Sequence, residues 1–119
     1  MPLLTDKVCL ITGGAGSVGL ATARLFLAEG ARVALVDRAP IDAGTLAGIA
    51  PGDRLFAIAA DVSRAEDAQR YVAETVARFG PIDVLFSNAG NFGTVAPIQE
   101  YPVDVFDAVQ AVHVRGAFL

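Results

Sequence analysis

The run Val8-Cys9-Leu10-Ile11-Thr12-Gly13-Gly14-Ala15-Gly16-Ser17-Val18-Gly19 constrains the fold of this chain more than any other stretch. An apolar, β-prone segment enters a glycine-dense turn, and a helical pattern leaves it. Residues without a Cβ let the backbone pass close to a phosphate, and a helix N-terminus presents free N–H groups at the positive end of its dipole. The spacing Gly14-x-Gly16-x-x-Gly19 is that of a strand–turn–helix phosphate cradle. A glycine-rich turn alone is equally the mark of an ordinary tight turn, so the surrounding chain has to decide.

Eighteen residues after Gly19, the run Arg32-Val33-Ala34-Leu35-Val36 ends in Asp37. An acid at the tip of a second strand accepts hydrogen bonds from ribose hydroxyls. Strand, glycines, helix and acid in register therefore predict nucleotide binding.

The rest of the chain keeps the same rhythm. Lys7 to Thr12 reads as the first strand. Ser17 to Glu29 reads as a helix with Val18, Ala21, Leu25 and Ala28 on one face and Gly30 as its stop. Arg32 to Val36 is a strand whose unbroken apolar run fits a sheet covered on both faces. Asp42 to Gly48 reads as a short helix, weakened by Gly44, Gly48 and Pro51. Leu55 to Ala60 is the third strand, closed by Asp61. Ser63-Arg64-Ala65-Glu66 has the spacing of a capping box. It opens a helix expected to turn Ala65, Ala68, Val72, Val76 and Phe79 to the core, ended by Gly80-Pro81. Ile82 to Ser87 is the fourth strand, Asn88 to Gly93 a loop, and a last helix runs from near Pro102 to the chain end. Such alternation implies an α/β fold with a parallel, doubly wound sheet and right-handed crossovers.

The last helix carries two apolar sides. Phe106, Val109 and His113 lie on one, and Val105, Ala108 and Val112 on its neighbour. Only Asp104, Asp107, Ala111 and Arg115 form a mostly polar strip. So broad an apolar surface predicts burial against the sheet and against a second body, a subunit partner being a candidate.

Composition excludes several classes. A length of 119 residues fits one domain at most, and 54% hydrophobic residues leave no case for disorder. No apolar run approaches the ~18 residues of a membrane span, and no signal-peptide pattern is visible. A net charge of −4 disfavours nucleic acid as a partner. The single Cys9 cannot form an intramolecular disulfide and reads as a small buried apolar residue, which fits a reducing cytoplasm. Nothing in the motif set requires a metal.

With these residues assembled, the chain resembles the N-terminal part of a short-chain dehydrogenase/reductase along its whole length. Thr12-Gly13-Gly14-Ala15-Gly16-Ser17-Val18-Gly19 resembles the family's Thr-Gly-x-x-x-Gly-x-Gly. Asp37 holds the acidic site after the second strand. Asp61-Val62 matches the Asp-Val that packs by the adenine, and Ser87-Asn88-Ala89-Gly90 is similar to Asn-Asn-Ala-Gly. The resemblance implies a Rossmann-type fold and an oxidoreductase moving hydride between a nicotinamide and a secondary alcohol or ketone. Gly13, Gly14, Gly16, Ser17, Val18, Gly19, Asp37, Arg38, Asp61, Val62, Asn88, Ala89 and Gly90 would bind the cofactor. Asp37 favours NAD over NADP, because a carboxylate suits two ribose hydroxyls and repels a 2′-phosphate. Arg38, beside it, either attracts that phosphate or covers the adenine face from the surface.

Three positions depart from the family pattern. Ser17 stands at the usual middle glycine, where its hydroxyl reaches a ligand or caps the helix. Ser87 replaces the first Asn. His113 replaces the Asn of Val-Asn-x-x-Gly, a member of the family's Asn-Ser-Tyr-Lys tetrad, and is either part of a proton relay or a satisfied interior histidine. The rest of the tetrad is not found: Tyr71 and Tyr101 are followed four residues on by Thr75 and Val105, and the sole lysine is Lys7. The expectation is a partial domain, residues 1–119, with four of the family's seven strands, inactive alone and oligomeric when full length. The alternatives are a non-catalytic nucleotide-binding or interaction module, and a non-functional truncation with an open strand edge. A methyltransferase or flavoprotein is remote, given Asp61-Val62 and Asn88-Ala89-Gly90.

Overall fold

The computed structural model describes residues 2–49 and 52–119; Pro51 lies outside them. Four strands, β1 (Val8–Thr12), β2 (Arg32–Asp37), β3 (Leu55–Ala59) and β4 (Val84–Phe86), form one parallel sheet in the order β3-β2-β1-β4. Helices α1 (Ser17–Ala28), α2 (Ala43–Ile49) and α3 (Ala65–Phe79) alternate with them. Helix α4 (Val103–Gln110) widens into a π-helical turn at Ala111–Arg115 and closes with a further turn at Gly116–Phe118.

The period of two along β1 divides the core into two layers. Cys9 and Ile11 face α1 and α2 with Val33, Leu35, Ala23 and Leu27. Leu10 faces α3 with Ala34, Val36, Ala68 and Tyr71, and Val112 of the π turn packs against this second layer. Burying a side chain such as Ile11 or Leu35 is worth about 1.5–3 kcal/mol each, so the doubly covered pair β1–β2 dominates the stability.

Two helices are rotated from the sequence expectation. In α1 the buried line is Gly19, Ala23 and Leu27, while Val18 and Leu25 are 58% and 59% exposed. Gly19 must lie against the glycine turn, as described below, and that contact sets the helix phase. In α3 the buried line is Ala68, Tyr71 and Thr75, and Val72 and Val76 are exposed. The Thr75 hydroxyl satisfies itself by donating to the Tyr71 carbonyl at 2.7 Å.

The capping box at Ser63 does not form. Arg64 is the N-cap residue, without a side-chain cap. The Ser63 hydroxyl instead donates to Asp61 Oδ1 at 2.6 Å, and Asp67, not Glu66, reaches back to accept the Asp61 N–H at 2.8 Å. Strand β4 is also shorter than Ile82–Ser87, and side chains join or replace the backbone ladder at its ends. Asp83 Oδ2 accepts the Val8 N–H at 2.9 Å. Thr12 Oγ1 accepts the N–H groups of Asn88 and Ala89 at 3.0 and 3.1 Å. Along the last helix Val105, Val109 and Val112 are half-buried and Gly116 is buried, while Phe106 and Val114 remain exposed. No helix among the described residues is long and apolar enough to cross a membrane.

Candidate functional site

The C-terminal ends of all four strands meet at one edge of the sheet, the place where open parallel sheets bind ligands. The glycine turn between β1 and α1 forms its floor. Gly13 has a left-handed φ of +68°, and a Cβ there would stand 2.9 Å from the Ala89 Cα. Gly19 sits in the first turn of α1, where a Cβ would collide with the Gly13 carbonyl oxygen and come within 2.9 Å of the Gly14 Cα. These contacts pull the helix N-terminus onto the turn.

That N-terminus carries no side-chain cap. Gly16 is the N-cap residue and Ser17 is the first helical residue, so Ser17 does not cap the helix. An uncapped helix start leaves orphan N–H donors, the groups that an anionic ligand satisfies.

Asp37 ties the turn to β2. Its Oδ2 accepts the Ala15 N–H at 2.9 Å and its Oδ1 accepts the Ala39 N–H at 3.2 Å. A carboxylate has about four lone-pair sites, so capacity remains for ligand hydroxyls. Asn88 closes the other side, its Nδ2 donating to the Gly13 carbonyl at 3.4 Å.

Two adjoining clefts open from this arrangement, of about 340 and 310 Å³. They share Gly13, Asp37, Gly90, Asn91 and Phe92. The larger is walled by Val36, Arg38, Ala60, Val62, Ala89 and Val112, a mixed lining of apolar side chains with a guanidinium among them. The smaller holds Gly16, Ser17, Val18, Asn88 and His113.

Of the residues singled out in the sequence, Gly14, Gly19 and Asp61 line neither cleft. The two glycines pack inside the turn. The Asp61 carboxylate is engaged by Ser63, whose hydroxyl hydrogen bond holds it below the usual carboxylate range, with Arg38 and Arg64 adding to the effect against the opposing pull of burial. It is the neighbouring Val62 that reaches the cleft wall. His113 is exposed, not interior, and its Nε2 lies 3.0 Å from the Asn91 amide nitrogen and 3.1 Å from the Asn91 carbonyl oxygen.

The sequence reading missed Val36, Ala60, Asn91, Phe92 and Val112. Val36 and Ala60 each immediately precede an acid at a strand end, and Asn91-Phe92 directly follow the Asn88-Ala89-Gly90 motif. Adjacency to a motif was the available signal for those four. Val112 had none beyond its place beside His113.

Comparison with known proteins matches this architecture throughout. The family model described as short chain dehydrogenase matches residues 7–119. Levodione reductase of Leifsonia aquatica is 40% identical over 119 aligned residues, covering 97% of this chain and 45% of the reductase. A 3-ketoacyl-(acyl-carrier-protein) reductase from Brucella melitensis, solved in complex with NADH, superposes with a TM-score of 0.86 at 35% identity, over 98% of this chain and 48% of the reductase. An NAD⁺-bound xylitol dehydrogenase gives a TM-score of 0.84 at 37% identity, over 98% of this chain and 45% of that enzyme. The chain thus spans less than half the length of the relatives it matches.

Proposed function

The chain belongs to the short-chain dehydrogenase family, and from that premise we propose that it forms the NAD-binding half of an oxidoreductase that moves hydride between nicotinamide and a secondary alcohol or ketone. The observation that carries the reading is the turn at Gly13–Gly19: a left-handed glycine, a helix start without a side-chain cap, and an acid tethered to the same turn.

Each residue then has a separable task. The first N–H groups of α1 and the Ser17 hydroxyl receive the pyrophosphate. Asp37 accepts the adenosine ribose hydroxyls, and its fixed negative charge disfavours a 2′-phosphate, which selects NAD over NADP. Val36, Ala60, Val62 and Val112 offer the apolar side chains of the larger cleft to an adenine. Arg38 stands among them, where its charge is partly offset by Asp37 beside it. Asn88, Ala89 and Gly90 build the wall along which the nicotinamide end would lie. When bound, the dinucleotide supplies the hydride chemistry, and this chain supplies position and exclusion of water.

The chain holds no Tyr-x-x-x-Lys and only Lys7 among lysines. Proton transfer to the substrate oxygen is therefore assigned to no residue of this sequence. The exposed Phe106 and Val114 on the last helix support association of subunits in the whole protein. The buried free thiol of Cys9 supports a reducing cytoplasm.

Calorimetric titration tests the binding assignment. NAD is expected to bind the wild-type chain more tightly than NADP. Asp37→Ala should weaken NAD by about tenfold, equivalent to ~1.4 kcal/mol, and narrow the gap to NADP. Unchanged selectivity in Asp37→Ala, or no binding of either dinucleotide to the wild type, would overturn it.

A further inference from the structure

We propose that His113 is a proton-dependent latch on the loop that follows β4. Its Nε2 faces a donor and an acceptor of the same residue at nearly equal range, the Asn91 N–H at 3.0 Å and the Asn91 carbonyl at 3.1 Å. One ring nitrogen plays one role at a time. With the ring proton on Nδ1, Nε2 accepts from the Asn91 N–H. With a proton on Nε2, in the other tautomer or in the imidazolium, it donates to the Asn91 carbonyl and the N–H loses its acceptor. Proton occupancy on the ring therefore selects which backbone group of Asn91 is held.

The surroundings make this selection matter. A Cβ on Gly90 would come 3.0 Å from His113 Cε1, so one side of the exposed ring lies against the Gly90 backbone. His113 sits in the middle of the π-helical turn, a local widening that recurs at functional positions. Beyond Asn91 the loop is stiffened in turn. Asn91 Oδ1 accepts the Gly93 N–H at 2.9 Å, and Tyr101 Oη stands 3.4 Å from the Thr94 nitrogen. Phe92, the next residue along the chain, borders both clefts with a fully exposed side chain.

The charged groups around the ring are few. Asp37 at the end of β2 is the other ionisable side chain lining the same cleft. Helix α1 brings its positive N-terminal end with the uncharged Ser17 and Val18. The strand-following loop brings the uncharged Asn88 and Asn91. On the ring's own helix, Arg115 turns away, its Nε donating to the Ser63 carbonyl at 3.1 Å. His113 is on this view a positioning residue. The latch itself needs no ligand; its consequence for the nicotinamide end of the cleft rests on the function proposed above.

Amide exchange and chemical shifts by NMR on the ligand-free chain test the latch. At alkaline pH the Asn91 amide should exchange about five- to tenfold faster in His113→Ala than in wild type, the loss of one hydrogen bond. His113→Asn, whose amide carries an acceptor and a donor together, should restore protection. In wild type the Asn91 amide shift should follow the same titration curve as the His113 ring protons, and it should be flat in His113→Asn. Equal Asn91 protection in wild type and His113→Ala, or an Asn91 shift that ignores the ring titration, would overturn the proposal. Should His113→Ala not fold, the wild-type chain decides alone: an Asn91 shift that ignores the His113 ring titration overturns the latch. Titrating NAD into the same wild-type sample separates the readings, since the Asn91–His113 coupling stands or falls without it.

Discussion

The glycines of the turn are not equivalent, and the difference makes a sharp prediction about Gly16 and Gly19. A Cβ on Gly19 would strike the Gly13 carbonyl oxygen and approach the Gly14 Cα to 2.9 Å, both backbone atoms that cannot rotate away. A Cβ on Gly16 would meet only the Gly13 oxygen, at an ordinary 3.5 Å, and the Gly16 backbone, φ −78° and ψ 168°, is extended and open to any residue. Overpacking of the Gly19 kind costs about 1–3 kcal/mol, offset by at most ~1 kcal/mol of improved helix propensity. Gly19→Ala should therefore lose about 1–2 kcal/mol, a melting point lower by roughly 4–10 °C for a chain of this size. Gly16→Ala gives up only a favourable N-cap residue, about 0.5 kcal/mol, or roughly 2–3 °C. The order reverses for binding. Gly16 lines the cleft proposed to receive the pyrophosphate, and on that proposal a methyl there should lower NAD affinity by at least about tenfold. Melting followed by circular dichroism and calorimetric titration of both variants supply the two axes. If Gly16→Ala melts as early as Gly19→Ala, or binds NAD like the wild type, then Gly16 is not a ligand-contact glycine and the division of the turn into packing and binding positions is wrong.

Two further outcomes follow from single side chains. Thr12→Val should cost roughly 2–4 kcal/mol in urea unfolding, because it leaves the Asn88 and Ala89 N–H groups without their shared acceptor, while Thr12→Ser should cost less than ~1 kcal/mol. Removing the Ser63 hydroxyl should raise the Asp61 pKa, since that hydrogen bond is the main reason it is low. A carboxylate with a depressed folded value stabilises the fold above its unfolded value and loses that contribution as pH falls through the folded one. Wild type should therefore exceed Ser63→Ala in urea midpoint at neutral pH, and the gap should close in acid; a gap that persists there would assign the effect to something other than Asp61 ionisation.

The order of elements and the edge that carries the candidate site were legible because they are written in local chemistry. Val8–Thr12 into a glycine turn, Asp37 closing a strand and Asn88-Ala89-Gly90 after β4 each need only their own neighbours to be read. Helix rotation was not legible, and the reason is physical. In α1 both Val18–Ala21–Leu25–Ala28 and Gly19–Ala23–Leu27 are apolar lines, so hydrophobic period alone cannot choose between them. The small-residue line wins because the turn requires a backbone at Gly19 close enough to touch Gly13, a constraint set by tertiary approach and invisible to hydropathy. In α3 the same conflict places Thr75 inside and Val72 outside. Here Val72 shares a groove with Ile82, Leu85 and Leu119 beside β4, the edge strand of this sheet. Leu85 is 59% exposed on that edge. The sequence expectation that Val72 and Val76 are core-facing is thus at odds with the sheet, because among the described residues no strand pairs with the outer side of β4. The site's fine structure was lost for a related reason. Whether Ser63 caps a helix or bonds Asp61, and whether His113 faces the core or the Asn91 backbone, depends on hydrogen-bond partners up to 22 residues apart for His113, and a motif read along the chain names the donor without naming where it points.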